Sequence, residues 1–268
     1  DWIGAIFVPT NAVGIPEGEI TVDSGTEATI TVAGLPAGLT FDKKTNALVY
    51  NATKMKDGNY AFVVSAKNKF NYKTDRVVVF TSEGHDPATD PIAWDETYFV
   101  GKNYRIELDY ASASAKDSLS LSGLPAGLKL VKGKDAEGWP AYHLEGLPTK
   151  AGRFTVTWKE THPPAQAVTT KYYMTVEGRP SQYVEAVAED LPAGCKATGS
   201  GVYAAGAKIT LKATAAKGLV FAGWYSDAER TQPVDVTDVD YRNPTLMLAE
   251  LPDEKTAWYP RFVELKDD

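Results

Sequence analysis

Gly34-Leu35-Pro36-Ala37-Gly38-Leu39 returns, residue for residue, as Gly123-Leu124-Pro125-Ala126-Gly127-Leu128. From position 34 to position 123 the offset is 89 residues, about the length of one β-sandwich. Proline fixes φ and opens a turn, and a glycine two residues later takes positive φ at no steric cost. The flanking leucines then fold back onto a core, so the hexapeptide reads as a tight corner between consecutive strands. A second stretch repeats as well: Gly58-Asn59-Tyr60-Ala61-Phe62-Val63-Val64 parallels Gly152-Arg153-Phe154-Thr155-Val156-Thr157-Trp158. These landmarks lie 24 residues apart in the first copy (34 to 58) and 29 in the second (123 to 152). The extra residues fall at Lys132 to Pro140, a Gly- and charge-rich stretch expected to form a longer hairpin loop.

Period-two alternation runs through both copies. Tyr60, Phe62 and Val64 point one way, and Ala61, Val63 and Ser65 the other. Phe154, Val156 and Trp158 do the same against Thr155 and Thr157. Such alternation of β-branched and aromatic residues, broken by Gly and Pro, marks half-buried antiparallel sheet. Ile30 and Val32, then Arg76 to Phe80, predict further strands in the first copy. Leu119 and Leu121, then Tyr172, Met174 and Val176, predict them in the second. No amphipathic helical pattern competes.

The two boundaries read as Ser82 to Pro91, rich in Pro and charge, and Glu177-Gly178-Arg179-Pro180. Three all-β units are therefore expected: residues 1–84, 85–178 and 179–268. The third has its own pattern. Gly199-Ser200-Gly201-Val202-Tyr203-Ala204-Ala205-Gly206 leads into Ile209, Leu211 and Ala213 alternating on one face. A turn at Lys217-Gly218 leads to Leu219-Val220-Phe221-Ala222-Gly223-Trp224, and strands are predicted again over 245–249 and 257–263. The reading is a compact unit built from hairpins, with Trp224 in its core beside Ile209, Leu211 and Phe262.

Composition sets limits on function. Hydrophobic residues make up 43% of the 268, a globular value. There are 28 Lys and Arg against 35 Asp and Glu, a net charge of −7, which repels phosphate backbones and argues against nucleic acid as a partner. The single cysteine, Cys195, rules out an intramolecular disulfide and a Cys-based zinc site. It reads as a small turn or core residue, with no histidine near it in sequence. No apolar run approaches the roughly 20 residues that cross a bilayer, so no membrane insertion is expected in this segment. The chain opens Asp1-Trp2-Ile3 without Met, as a processed or excised segment does. Leu147-Pro148-Thr149-Lys150 departs from the Leu-Pro-x-Thr-Gly of a sortase anchor.

The first two copies resemble the bacterial putative-Ig, or cadherin-like, repeat family. The first carries Leu35-Pro36-Ala37-Gly38-Leu39-Thr40-Phe41-Asp42-Lys43-Lys44-Thr45-Asn46-Ala47-Leu48, with Asn46 in the usual Gly place. Asn tolerates positive φ, so the turn is kept. The second carries Leu144-Glu145-Gly146-Leu147-Pro148-Thr149-Lys150-Ala151-Gly152 and loses the Asp-x-x-Thr-Gly turn to its insertion. The third segment resembles the divergent internalin-type B repeat at Gly199, Gly201, Tyr203, Gly206, Leu211, Ala213, Gly218, Phe221, Gly223, Trp224, Tyr259 and Phe262. The resemblances imply two tandem Ig-like antiparallel β-sandwiches plus a small C-terminal β-domain. They also imply a secreted, extracellular or cell-surface protein without a shared catalytic site.

The motifs that could carry chemistry are few. Gly199-Ser200-Gly201-Val202-Tyr203-Ala204 fits Gly-x-Gly-x-x-Gly/Ala on paper, but a strand follows where a dinucleotide site needs a helix. His85, His143 and His162 form no known catalytic motif. No cofactor and no metal site are expected. The acids Glu83, Asp86, Asp90 and Asp95 flank the first linker but are interrupted by Pro87 and Pro91, so no tight Ca²⁺ site is expected there. Asn51-Ala52-Thr53 is a glycosylation sequon that a bacterium has little use for. Trp139, before Pro140 in the insertion, is the candidate for ligand contact on an exposed loop. The expected role is a non-catalytic adhesive or spacer segment of a bacterial cell-surface protein. Its partners would be other domains of the parent protein and a host or matrix protein or glycan. The alternative is an accessory carbohydrate-binding module of a larger secreted enzyme.

Overall fold

The computed structural model describes residues 2–82, 92–165, 167–234, 240–248, 250–253 and 256–265. The chain divides into two compact units, Asp1–Pro180 and Ser181–Asp268. Every regular element among the described residues is a strand. The boundary expected at 84/85 lies outside the described residues.

The first unit opens with β1 (Ile3–Phe7), β2 (Gly18–Glu19), β3 (Thr21–Ser24), β4 (Ala28–Ala33), β5 (Leu39–Asp42), β6 (Ala47–Tyr50), β7 (Gly58–Asn68) and β8 (Lys73–Ser82). They form sheets in the orders β1-β3, β2-β6-β5 and β4-β7-β8. Ile3, Ile20, Leu39, Leu48, Phe62 and Val64 meet in one core between them. The expected parity holds: Phe62 and Val64 are buried, while their neighbours Ala61, Val63 and Ser65 are half-buried. The corner explains the turn into β5. Gly34 and Gly38 take φ of 81° and 97°, and the Leu39 amide donates to the Pro36 carbonyl at 3.1 Å. Asn46 adopts φ 51° between β5 and β6, the left-handed conformation its position calls for.

The second half of this unit repeats the plan with β9 (Ile92–Phe99), β10 (Tyr104–Glu107), β11 (Ser118–Ser122), β12 (Leu128–Lys134), β13 (Pro140–Gly146), β14 (Gly152–Thr161) and β15 (Val168–Glu177). Its sheets run β10-β13-β12 and β11-β14-β15-β9. The corner is reproduced, with φ of 80° and 95° at Gly123 and Gly127 and the Leu128 amide 3.1 Å from the Pro125 carbonyl. Val156, Met174 and Val176 are fully buried, on the face the alternation assigned them. Trp158 continues that face to a half-buried end, where it meets Trp94 and Tyr172 at ring-centroid distances of 6.3 and 6.1 Å.

Two features depart from the sequence reading. The insertion is mostly paired strand: β12 and β13 pair from Leu128–Gly146 through to Lys134–Pro140, and only residues 135–139 turn. Paired backbone satisfies its own amides and carbonyls, which a long loop would leave to solvent. Second, the sheet is not wholly antiparallel, since β9 runs parallel to β15. Alternation shows which way a side chain points and is silent on which distant strand lies alongside.

The second unit comprises β16 (Gln182–Ala186), β17 (Lys196–Thr198), β18 (Gly201–Tyr203), β19 (Ile209–Thr214), β20 (Leu219–Tyr225), β21 (Thr245–Leu248) and β22 (Ala257–Glu264). Its sheets run β18-β16-β22-β20 and β17-β19-β21. Hairpin pairing accounts for much of it, but β16 and β22 pair parallel and tie the two ends of the unit together. Trp224 is fully buried, in one cluster with Ile209, Leu211, Leu246 and Trp258, and Phe262 packs against that cluster. Gly223 has φ 140°, and a methyl group there would lie 2.8 Å from the Tyr241 ring. The glycine before the tryptophan thus lets the covering loop close over the strand.

Candidate functional site

Trp139 sits at the tip of the β12–β13 hairpin. The Asp135 carboxylate accepts the amides of Glu137 and Trp139 at 3.1 and 2.8 Å, which folds the turn and presents the indole at 39% exposure. This is a fixed aromatic on a short turn, the kind of platform on which a flat ligand face can rest. No second aromatic ring pairs with it among the described residues.

The densest polar cluster lies away from the motifs read in the sequence. Asp117, 3% exposed, accepts the Ala113 amide at 2.7 Å, the Ser114 amide at 2.9 Å and the Ser114 hydroxyl at 3.1 Å. His162 Nδ1 lies 3.4 Å from the same carboxylate, and its ring stacks on Tyr110 at 5.5 Å. The Ala113 amide bond is the largest of the effects holding the Asp117 carboxyl down to about 2. Burial, reinforced by the Asp117 charge, pushes the Tyr110 hydroxyl up to about 12. Asp, His and Ser side by side invite comparison with a hydrolytic triad. In a triad the hydroxyl faces the imidazole; here the serines bond to the carboxylate, and His162 Nε2 faces Glu160 at 3.8 Å. The arrangement pins the segment between β10 and β11 to the end of β14. Its sequence signal was a polar run, Ser112-Ala113-Ser114-Ala115-Lys116-Asp117, whose partner His162 lies 45 residues beyond Asp117 (117 to 162).

The remaining candidates have structural partners. His143 is buried with Nε2 3.2 Å from Glu145, whose carboxyl is held below its usual range chiefly by a bond from Lys129. Cys195 is half-buried, and its Sγ accepts the Ala216 amide at 3.3 Å. Asn51 accepts the amide and hydroxyl of Thr53 at 3.1 and 2.7 Å, closing a local turn. Of the linker residues, His85, Glu83, Asp86 and Asp90 lie outside the described residues, and Asp95 is exposed on β9. Among the described residues no group of three or more His, Cys, Asp or Glu is placed to hold a metal ion. Nor is any helix there long and apolar enough to cross a membrane.

A second arrangement joins the halves of the first unit, where β7 and β8 lie against β14 and β15. Val77 shares parity with Val63 and Ser65, away from the first core, yet is only 5% exposed. The Glu177 carboxylate accepts the Val77 amide at 2.9 Å. Burial raises the Glu177 carboxyl above its usual range, against the pull of that amide and of Arg76. Gly178 passes so close that a methyl group on it would lie 2.2 Å from the Asp75 carbonyl oxygen.

The chain was compared with known proteins. Residues 9–83 match the family described as "Putative Ig domain", and residues 190–256 match "Divergent InlB B-repeat domain". Over 160 residues, 58% of this chain, it is 29% identical to the serine-rich adhesin for platelets of Staphylococcus aureus strain MRSA252. A second Staphylococcus aureus adhesin of that name is 30% identical over the same length. The matched region spans only 11% and 7% of these two relatives. Among solved structures, one similar chain is the Bacteroides ovatus mixed-linkage glucan utilization locus SGBP-B in complex with mixed-linkage heptasaccharide. It is 14% identical with a TM-score of 0.19, over 88% of this chain and 54% of that one. The human Desmocollin-1 ectodomain is 11% identical with a TM-score of 0.21, over 85% and 49%. Scores this low carry no argument about function. The two family matches fall on the first sandwich, which is similar to the putative Ig domain, and on the second unit, which is similar to the divergent InlB B-repeat domain.

Proposed function

We propose that this chain is a non-catalytic segment of a bacterial secreted or cell-surface protein, serving as an adhesive or spacer region. Residues 1–84, 85–178 and 179–268 act as its three building blocks. The observation that carries this reading is the joint inside the first unit. Val77 is buried on the outer face of its own sandwich, and its amide is capped by Glu177 from the next. A linker alone would leave two sandwiches swivelling; a packed joint with a buried, satisfied amide holds one angle. Such a joint suits a stalk that presents a further domain at a set distance and direction. Similarity to the staphylococcal adhesins supports the surface setting.

The test is the alignment of the intact chain in a dilute oriented medium. Residual dipolar couplings from β4–β8 and from β11–β15 are expected to fit a single alignment tensor. Two independent tensors would defeat the spacer reading. Labelling of the producing bacterium with a membrane-impermeant lysine reagent is expected to mark the parent protein, and protection in intact cells would defeat the surface setting.

A further inference from the structure

The sheet β4-β7-β8 buries one face in the first core and turns the other outward. Thr29, Lys67 and Lys73 form one row across its three strands, and Thr31 and Ser65 begin the next. Their neighbours Ile30, Val64, Ala66 and Thr74 are buried, so these rows point away from the core. Together with Lys69 from the β7–β8 turn they line a hollow of about 700 Å³. That lies within the range of small-molecule sites, about 300–1,000 Å³.

The basic edge of this hollow is fixed. Asn68 is 4% exposed, and its Oδ1 accepts the amides of Phe70 and Tyr72 at 3.0 and 3.1 Å, which sets the turn. Lys69 Nζ lies 5.0 Å from the centre of the Phe70 ring. Lys73 pairs with Asp75 at 3.2 Å, whereas Lys67 and Lys69 have no acidic partner among the described residues. Thr26 contributes to the wall, and its hydroxyl is buried with no hydrogen-bond partner among the described residues. Glu27 is the one acid in the lining.

Two ammonium groups without an acidic partner among the described residues, beside the outward hydroxyls of Thr29, Thr31 and Ser65, favour a ligand that is both anionic and rich in hydroxyls. The chain as a whole carries −7, which repels a long polyanion. A short ligand with one or two charges feels the local lysines, because screening cuts off more distant charges within about 8–10 Å. We propose that this hollow binds a short acidic saccharide, its carboxylate or sulfate held by Lys67 and Lys69 and its hydroxyls by Thr29, Thr31 and Ser65. The proposal deepens the adhesive reading above and rests on it for its biological role.

The experiment is calorimetric titration of the whole chain with three probes: an unsulfated chondroitin disaccharide, its sulfated counterpart, and neutral lactose. At least one acidic disaccharide is expected to bind, at least about tenfold tighter than lactose, and more weakly as salt is raised. Lys67→Ala and Lys69→Ala are each expected to weaken it about five- to tenfold, and the exposed Lys150→Ala to leave it unchanged. The unsulfated and sulfated arms tell carboxylate from sulfate. No binding of either acidic probe, equal binding of lactose, or affinity indifferent to Lys67 and Lys69 would each overturn the proposal. The stalk reading would survive that result, because the dipolar couplings test it separately.

Discussion

Gly34 and Gly123 open the same corner at nearly the same angle, φ of 81° and 80°, yet a side chain added at each would meet different surroundings. At Gly34 the nearest atom is Phe62 Cα, 3.9 Å away; at Gly123 it is the Thr155 carbonyl oxygen at 2.2 Å. The second corner of each copy differs too. A methyl group at Gly38 would lie 2.7 Å from the Met55 amide nitrogen, and one at Gly127 only 1.9 Å from the Leu147 carbonyl oxygen. Six identical residues give one backbone path, because φ and ψ answer to local sterics. How closely the rest of the sandwich presses on that path depends on the strand across the way, where the copies differ.

The largest effect should come from testing that difference. Gly123→Ala adds backbone crowding to the cost of positive φ, together about 2–5 kcal/mol. Gly34→Ala has only the second term, about 1–2 kcal/mol. Denaturant unfolding of the intact chain, followed at amide resonances in each sandwich, separates the two. Equal losses would mean that the clearances do not matter and the copies are equivalent.

The joint between the sandwiches comes next. Glu177→Ala strips the Val77 amide of its acceptor inside a packed contact and should cost about 1–3 kcal/mol, whereas Glu177→Gln can still accept that bond. The joint and the second sandwich's own Asp117 cluster should also answer acid in opposite senses. The raised Glu177 carboxyl contributes stability below its unfolded value of 4.5, and this is lost as pH rises through the raised value. The depressed Asp117 carboxyl contributes stability above 3.8, lost as pH falls toward about 2. A pH series of unfolding midpoints checks both. Asp117→Asn should remove the acid-side loss, and Glu177→Gln should flatten the slope above 4.5. Unchanged profiles would show that neither group senses the fold.

The smallest effect belongs to the feature the first sandwich lacks. Trp139 stands on the lengthened hairpin, 39% exposed and with its turn held by Asp135. Trp139→Ala should change stability by less than about 0.5 kcal/mol, measured by the same denaturant unfolding. A larger loss would mean that the indole packs on the sandwich, and the insertion would then belong to the fold.

The sequence by itself determined the elements that obey local rules. The repeated corner, the positive φ of Asn46, the inward set Phe62, Val64, Val156 and Met174, and the burial of Trp224 beside Gly223 could all be read from neighbours along the chain. Each depends on a dihedral preference, on strand parity or on a short motif. Only the tertiary structure decided the parallel pairings of β9 with β15 and of β16 with β22, and the conversion of the insertion into ladder. It alone brought His162 to Asp117, Glu177 to Val77, and Lys67 alongside Thr29 and Lys73. The physical reason is that parity says which face a side chain occupies, while the identity of its neighbour on that face is set by register between strands distant in sequence. Lys67 and Val77 show the limit. Both lie on the outer face of one sheet and read alike as outward positions, yet one edges an open hollow and the other is sealed beneath the next sandwich.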